Sequence, residues 1–139
     1  MNDNFSKNTK IEMKSINDNQ FMVFTTDKDG NINYTNKVLP NILKTNKEFL
    51  IGKKIEEFKH PSFTFKVYDD MYDSLKEEGQ WDGYLRNING NQEEVWFDFY
   101  IIVSKKEDGE AVGYTGIAKV PSEIDIEEAE EQIKKKYNI

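Results

Sequence analysis

The chain has 139 residues, a formal net charge of −7, 37% hydrophobic residues and no cysteine. A chain of this length builds one domain with a modest core, and its negative charge disfavours nonspecific binding to nucleic acid or anionic membranes. The lack of cysteine excludes disulfides, thiolate nucleophiles and cysteine-ligated metals. No apolar stretch is long enough to span a bilayer and the start does not resemble a signal peptide, so we expect a cytoplasmic protein.

The first part of the chain predicts an arm, a hairpin and brief helices. Residues 1–20, rich in Asn, Lys and Asp, predict an N-terminal arm or a short helix. Two β-rich runs, 21–26 and 31–35, flank a turn that contains Gly30, which is typical of a β-hairpin. Apolar residues at helical spacing then predict short helical turns between 36 and 58.

A longer helix and three strands complete the predicted sheet domain. Apolar residues three or four positions apart predict a helix over 64–78, which Gly79 ends. Strands are expected at 81–88, 93–104 and 110–120. The order β-β-α-α-α-β-β-β predicts an α+β domain over residues 21–120, with a five-stranded antiparallel sheet and helices on one face.

Residues 121–139 predict a C-terminal amphipathic helix for signalling or docking. Pro121 ends the last strand, and Ser122 with Asp125 resembles a capping box. One helical stripe then carries the apolar residues Ile126, Ala129, Ile133 and Tyr137. The sequence leaves three arrangements open: the helix docks on its own sheet, pairs with a second copy, or begins a longer signalling helix.

Strand alternation defines a candidate ligand site between the sheet and the helix over 64–78. On the two strands that start at 81 and 93, one face is apolar except for Asn87, and we expect it to face the helices. An unpaired buried amide costs about 1–3 kcal/mol, so Asn87 either contacts a ligand or satisfies backbone at the strand end. The candidate residues are Trp81, Leu85, Asn87, Phe97, Phe99, Ile101, Met71, Leu75 and His60. The opposite face is mixed, and we expect Trp96, Tyr100 and Tyr114 there.

These patterns occur together with short motifs that resemble PAS domains. The segments that carry the resemblance are 26–36, 50–53, 59–61, 70–76, 80–83, 86–87, 108–110 and 112–114, together with Trp96. The middle block is similar to the PAS domains of bacterial aerotaxis and energy-taxis receptors, which hold FAD and report redox state. The resemblance implies a sensory and signal-transduction fold, with Asn87 at a position that contacts flavin in PAS relatives.

The resemblance makes FAD the first cofactor to consider. Lys59-His60-Pro61-Ser62 stands where the aerotaxis pattern has Arg-His-Pro-Asp, so His and Pro match while Lys lacks the bidentate fork of Arg. Blue-light adduct chemistry is excluded because it needs a cysteine. Haem is disfavoured because the single histidine, His60, precedes the helix in which the haem ligand of such domains usually sits. No residues suggest a metal site.

Two functions remain open at this point. The first is a sensory module that binds a small molecule or cofactor and relays occupancy to a partner by repositioning the helix after Pro121. The alternative is a ligand-free module that forms a homodimer or docks on a kinase, chemoreceptor or cyclase. An enzyme is disfavoured, because one His, no Cys and no convergent acid pair offer few catalytic groups.

Overall fold

A five-stranded antiparallel sheet organises the chain, as the sequence predicts. The computed structural model describes residues 21–139, so the arm predicted over 1–20 lies outside the described residues. The strands are β1 (Met22–Thr26), β2 (Ile32–Thr35), β3 (Gln80–Ile88), β4 (Glu94–Lys105) and β5 (Ala111–Lys119). Their order in the sheet is β2-β1-β5-β4-β3, so the β1–β2 and β3–β4 hairpins lie at opposite edges and β5 joins them.

Four helices and one 3-10 turn surround the sheet. They are α1 (Val38–Ile42), α2 (Lys47–Leu50), the 3-10 turn (Ile55–Phe58), α3 (Lys66–Glu78) and α4 (Glu123–Tyr137). As predicted, Gly79 ends α3: it adopts a φ of 79°, and its N–H donates to Leu75 O at 3.0 Å and Ser74 O at 3.2 Å. None of the helices from residue 21 onward is long and apolar enough to cross a bilayer.

The core lies between the inner face of the sheet and α3. Phe24 and Phe99 stack with ring centroids 5.7 Å apart, and both side chains are fully buried. This stacking depends on Gly116 of β5, because a Cβ at that position would lie 2.7 Å from the Phe24 ring and 3.1 Å from the Phe99 ring. The sheet is therefore closely packed at its centre.

Helix α4 docks on its own domain. It is capped by Ser122, whose hydroxyl accepts from the Asp125 N–H at 3.1 Å, and Ala129 of its apolar stripe is 1% exposed. At its other end the Tyr137 hydroxyl donates to the Asp70 carboxylate of α3, and Lys136 Nζ lies 3.5 Å from the same carboxylate. Helix α4 therefore packs against its own domain, and the arrangements with a second copy or a longer helix stay predictions.

Helix α4 begins beside the outer face of β3 and β4, where it faces charged groups. Burial raises the pKa of Asp98 on β4, and the positive charge of Lys119 on β5 lowers it. The carboxylates of Asp125 on α4 and Asp82 on β3 raise the pKa of Asp98 further. From there α4 runs to α3, so it crosses the β3 side of the sheet. The first turn of α4 thus places the carboxylate of Asp125 near those of Asp82 and Asp98. The last turn makes a hydrogen bond and an ion pair with Asp70 of α3.

The prediction for the outer face was partly wrong. Tyr100 is 43% exposed, as expected, but Trp96 is 3% exposed and packs edge-on against Phe63 with centroids 5.9 Å apart. Tyr114 shares the strand parity of the buried Ala118, and its ring meets Tyr72 of α3 at 6.1 Å. Parity along β4 alone could not show that the loop before α3 folds over Trp96.

Candidate ligand-binding site

The structure brings the predicted site residues of β3 and β4 into one layer. In the β3–β4 register Leu85 pairs with Phe97, Gly83 with Phe99, and Trp81 with Ile101. Met71 and Leu75 of α3 are 0% and 2% exposed. This layer between β3, β4 and α3 is the candidate ligand-binding site, and it is apolar except at the positions described next.

Asn87 is the buried polar residue at the end of this layer. Its side chain is fully buried, and Oδ1 has no hydrogen-bond partner among the described residues. Nδ2 donates only to Leu85 O at 3.2 Å and to Val95 O at 3.4 Å, which are long for N–H···O bonds. An unsatisfied buried carbonyl costs about 1–3 kcal/mol, so Asn87 is poorly accommodated by the protein alone.

Tyr68 of α3 carries a second buried polar atom without a partner. Its side chain is 3% exposed, and its hydroxyl has no hydrogen bond among the described residues. Burial and then the nearby Glu56 carboxylate raise the pKa of Tyr68, so the phenol stays neutral and able to donate. By its spacing, Tyr68 belongs to the apolar stripe that predicts the helix over 64–78. A hydroxyl on a stripe that is otherwise buried is the signal that could have identified it.

Trp81 fills the space that Gly83 leaves on the same face of β3. A Cβ at Gly83 would lie 2.5 Å from two atoms of the Trp81 indole ring. The indole packs on Phe99 with centroids 6.4 Å apart, yet Trp81 is only half-buried. The indole therefore lies at the margin of the layer, in contact with both the core and solvent.

The loop Lys59-His60-Pro61-Ser62 uses its polar side chains to stabilise itself. Lys59 Nζ donates to His60 O at 2.9 Å and to Phe63 O at 2.6 Å, and desolvation lowers the pKa of Lys59. His60 Nδ1 accepts from the Ser62 N–H at 3.0 Å, which places the proton of the neutral ring on Nε2. His60, the predicted cofactor contact in this loop, is thus engaged by loop backbone, and so is the neighbouring Lys59.

A polar contact joins α3 to the 3-10 turn. The Tyr72 hydroxyl donates to the Glu56 carboxylate, at 2.9 Å and 3.2 Å from its two oxygens. A Cβ on Gly30 would lie 3.0 Å from the same hydroxyl, so the β1–β2 turn approaches this contact closely. Between residues 21 and 139 no three His, Cys, Asp or Glu side chains are arranged to hold a metal ion.

Comparison with known proteins identifies the family. The chain belongs to the PAS domain family, because the model of that family matches residues 19–119. This result agrees with the sheet order and with the layer between sheet and α3. No curated protein sequence matches the chain. The likeness to aerotaxis receptors remains a prediction.

Solved structures of low identity share the fold. A PAS domain from Colwellia psychrerythraea superposes with a TM-score of 0.67 at 21% identity, covering 83% of this chain and 98% of that one. The dark structure of the blue-light photoreceptor Aureochrome1 LOV gives 0.71 at 14% identity, covering 95% and 94%. A light-oxygen-voltage domain studied with a flavin analogue gives 0.70 at 15% identity, covering 96% and 97%. At these identities the likeness establishes the fold alone.

Proposed function

We propose that this PAS domain is a sensory module that binds a small molecule between β3, β4 and α3 and relays its presence through α4. The observation that supports this most directly is Asn87, whose buried Oδ1 has no partner among the described residues. Buried polar atoms are almost always paired, so an unpaired one in a binding family points to a ligand donor. The domain acts in this proposal by binding and not by catalysis.

The chemistry of Asn87 indicates the kind of group that it would bind. Its Oδ1 lacks a hydrogen-bond donor, and its Nδ2 makes only two long hydrogen bonds. The Asn87 amide could therefore pair with a planar ring edge that carries neighbouring N–H and C=O groups. A flavin has such an edge, and two of the structural neighbours are light-oxygen-voltage domains. When bound, a flavin would supply redox chemistry.

A flavin fits Asn87 but does not fit the present packing. Phe97, Phe99 and Leu85 are fully buried, and the Trp81 indole occupies the space beside Gly83. A ring system would require the indole to move outward. Lys59, which stands where the aerotaxis pattern has Arg, donates to carbonyls of its own loop. Flavin is therefore the first ligand to test, and nothing in the relay below depends on it.

Helix α3 provides a direct route from the site to α4. Met71 is fully buried in the site, and the neighbouring Asp70 accepts the hydrogen bond from Tyr137 of α4. A ligand that shifts α3 would disturb this contact. Such a relay requires that the ligand bind more tightly to one position of α3 than to the other.

The first experiment is an absorption spectrum of freshly purified protein, followed by mass spectrometry of the denatured supernatant. Flavin bands with released FAD or FMN would support the redox form of the proposal. A colourless protein is then titrated with FMN, FAD and riboflavin while Trp81 emission is followed in a Trp96→Phe background. The matched control carries Asn87→Leu as well. Saturable changes that Asn87→Leu abolishes are expected, and equal responses in both proteins would contradict the site.

The alternative function is a ligand-free docking module. It is favoured by the close packing of the interior and by the outer face, where Tyr100, Ile102 and Ile117 are each more than a third exposed. This alternative gains support if no ligand is released and none of the flavins binds. The two functions therefore give opposite results in the same titration.

A further inference from the structure

A surface formed by α2 and β2 combines exposed aromatic rings with lysines. We define the lysine–aromatic patch as Tyr34, Lys47, Phe49, Ile51 and Lys53. Tyr34, Phe49 and Ile51 are 49%, 51% and 47% exposed. Lys47 Nζ lies 5.8 Å from the Tyr34 ring centroid, and Lys53 Nζ lies 4.7 Å from the Phe49 centroid. Each exposed ring is thus covered by a cation in the described structure.

The charge around this patch is opposite to that of the whole chain. Residues 37–54 contain five lysines and a single acid, Glu48, whereas the complete chain has a net charge of −7. A basic surface with exposed apolar groups favours a partner that presents acids around an apolar side chain.

Helix α4 presents a surface of that complementary kind. We define the acidic stripe as Ile124, Glu127, Glu128 and Glu131, whose spacing of three, one and three residues places them on one helical face. All four are exposed, and Ile124 is 69% exposed. The face points away from the docked stripe that contains Ala129. The acidic stripe therefore remains available while α4 is docked.

The two surfaces lie too far apart to meet within one chain. The patch lies at the β2 edge, where Ile32 N donates to Lys53 O at 2.8 Å and Gly52 N donates to Ile32 O at 2.7 Å. Helix α4 crosses β4 and β3, and β3 forms the opposite edge of the sheet. Only a second molecule can bring the two surfaces together.

We propose that the lysine–aromatic patch of one copy binds the acidic stripe of α4 in a second copy. Ile124 then packs on Phe49 and Ile51, while the glutamates surround Lys47 and Lys53. Two such contacts related by a two-fold axis close a dimer. This proposal needs no ligand, so it stands or falls independently of the proposed function.

The test is sedimentation velocity of the full chain across a range of concentrations and salt. We expect a species with at least twice the monomer mass of 16.3 kDa, and weaker association as salt rises, because screening shortens to about 3 Å at 1 M. Lys47→Glu with Lys53→Glu should raise the dissociation constant about tenfold or more, and so should Glu127→Lys with Glu131→Lys. The control, Lys28→Glu with Lys105→Glu, makes the same charge change at exposed lysines outside the patch.

The decisive sample mixes the two charge-reversed proteins. Each protein alone should associate more weakly, because its patch and stripe carry the same charge. The mixed dimer has one original contact and one contact with both charges exchanged, so it should associate within about threefold of the original protein. A monomer at all concentrations would overturn the proposal. Association that the patch variants leave unchanged would also overturn it, because another surface would then be responsible.

Discussion

Replacing Asn87 with leucine should stabilise the ligand-free domain. The substitution removes an unpaired buried Oδ1 that costs about 1–3 kcal/mol, and it loses only two long Nδ2 bonds, at 3.2 Å and 3.4 Å, which together contribute about 1 kcal/mol. Leucine has a similar size and suits a strand face that is otherwise apolar. We therefore expect the free energy of unfolding to rise by about 1 kcal/mol, or roughly 3–5 °C in Tm.

Asn89, two residues further along, provides a matched control, because its replacement with leucine should change the free energy of unfolding in the opposite direction. It is 8% exposed, and its Oδ1 accepts from the N–H groups of Asn91 at 2.9 Å and Glu93 at 3.0 Å. Its Nδ2 donates to the Glu93 carboxylate at 3.0 Å. Asn89→Leu breaks all three bonds and should lower the free energy of unfolding by about 1–3 kcal/mol.

The assay is urea unfolding of both variants, followed by far-ultraviolet circular dichroism on protein refolded after removal of any ligand. Removal matters because a bound ligand would stabilise the parent protein and mask the effect. Equal m-values would show that the variants differ in stability and not in the extent of unfolding. If Asn87→Leu destabilises as much as Asn89→Leu, then the Asn87 amide is already satisfied and the reasoning for a ligand donor is refuted.

Three further perturbations test the packing around the site and α4. Gly83→Ala places a methyl group where the Trp81 indole lies, so the free energy of unfolding should fall by about 1–3 kcal/mol. In a Trp96→Phe background the fluorescence emission of Trp81 should also shift to longer wavelength, and unchanged emission would contradict this packing. Burial raises the pKa of Asp98, so its contribution to stability is present at low pH and is lost as pH rises through the folded pKa. Asp98→Asn should flatten that loss as the pH rises above the ordinary Asp pKa of about 4 in unfolding experiments, and an unchanged slope would contradict it. Tyr137→Phe removes the bond to α3 and should speed amide exchange in the last turn of α4 about three- to tenfold, with β4 unchanged as the internal control.

Local patterns in the sequence predicted the sheet and most of the site layer. Alternation on β3 and β4 places Leu85, Asn87, Phe97 and Phe99 on one face, because successive side chains in a strand point to opposite sides. The predicted helix over 64–78 begins two residues later, at Lys66, where the Thr64 hydroxyl accepts from its N–H at 3.2 Å. The spacing of apolar residues and the residue types at turns are local properties of the chain, so a single sequence is enough to show them.

Contacts between distant segments could not be predicted in the same way. The burial of Trp96 depends on Phe63 folding over it, and the docking of α4 depends on Asp70 lying within reach of Tyr137. The bonds of Lys59 could not be predicted either, because its ammonium group donates to carbonyls of its own loop, and only the folded loop brings them together. Each of these contacts is set by tertiary geometry, which residue spacing does not encode.

The contacts of α4 suggest where a movement of α3 would first be felt. The apolar stripe around Ala129 can tolerate small shifts, because dispersion contacts change gradually with distance. The hydrogen bond from Tyr137 to Asp70 depends steeply on distance and is lost once the donor and acceptor separate by about 1 Å more. At the other end, the acids around Asp98 already oppose docking, but the chain connection through Pro121 holds the helix near the sheet. A displacement of α3 should therefore release the C-terminal turn of α4 first, and exchange in that turn should respond to ligand before exchange in the turn that follows Ser122.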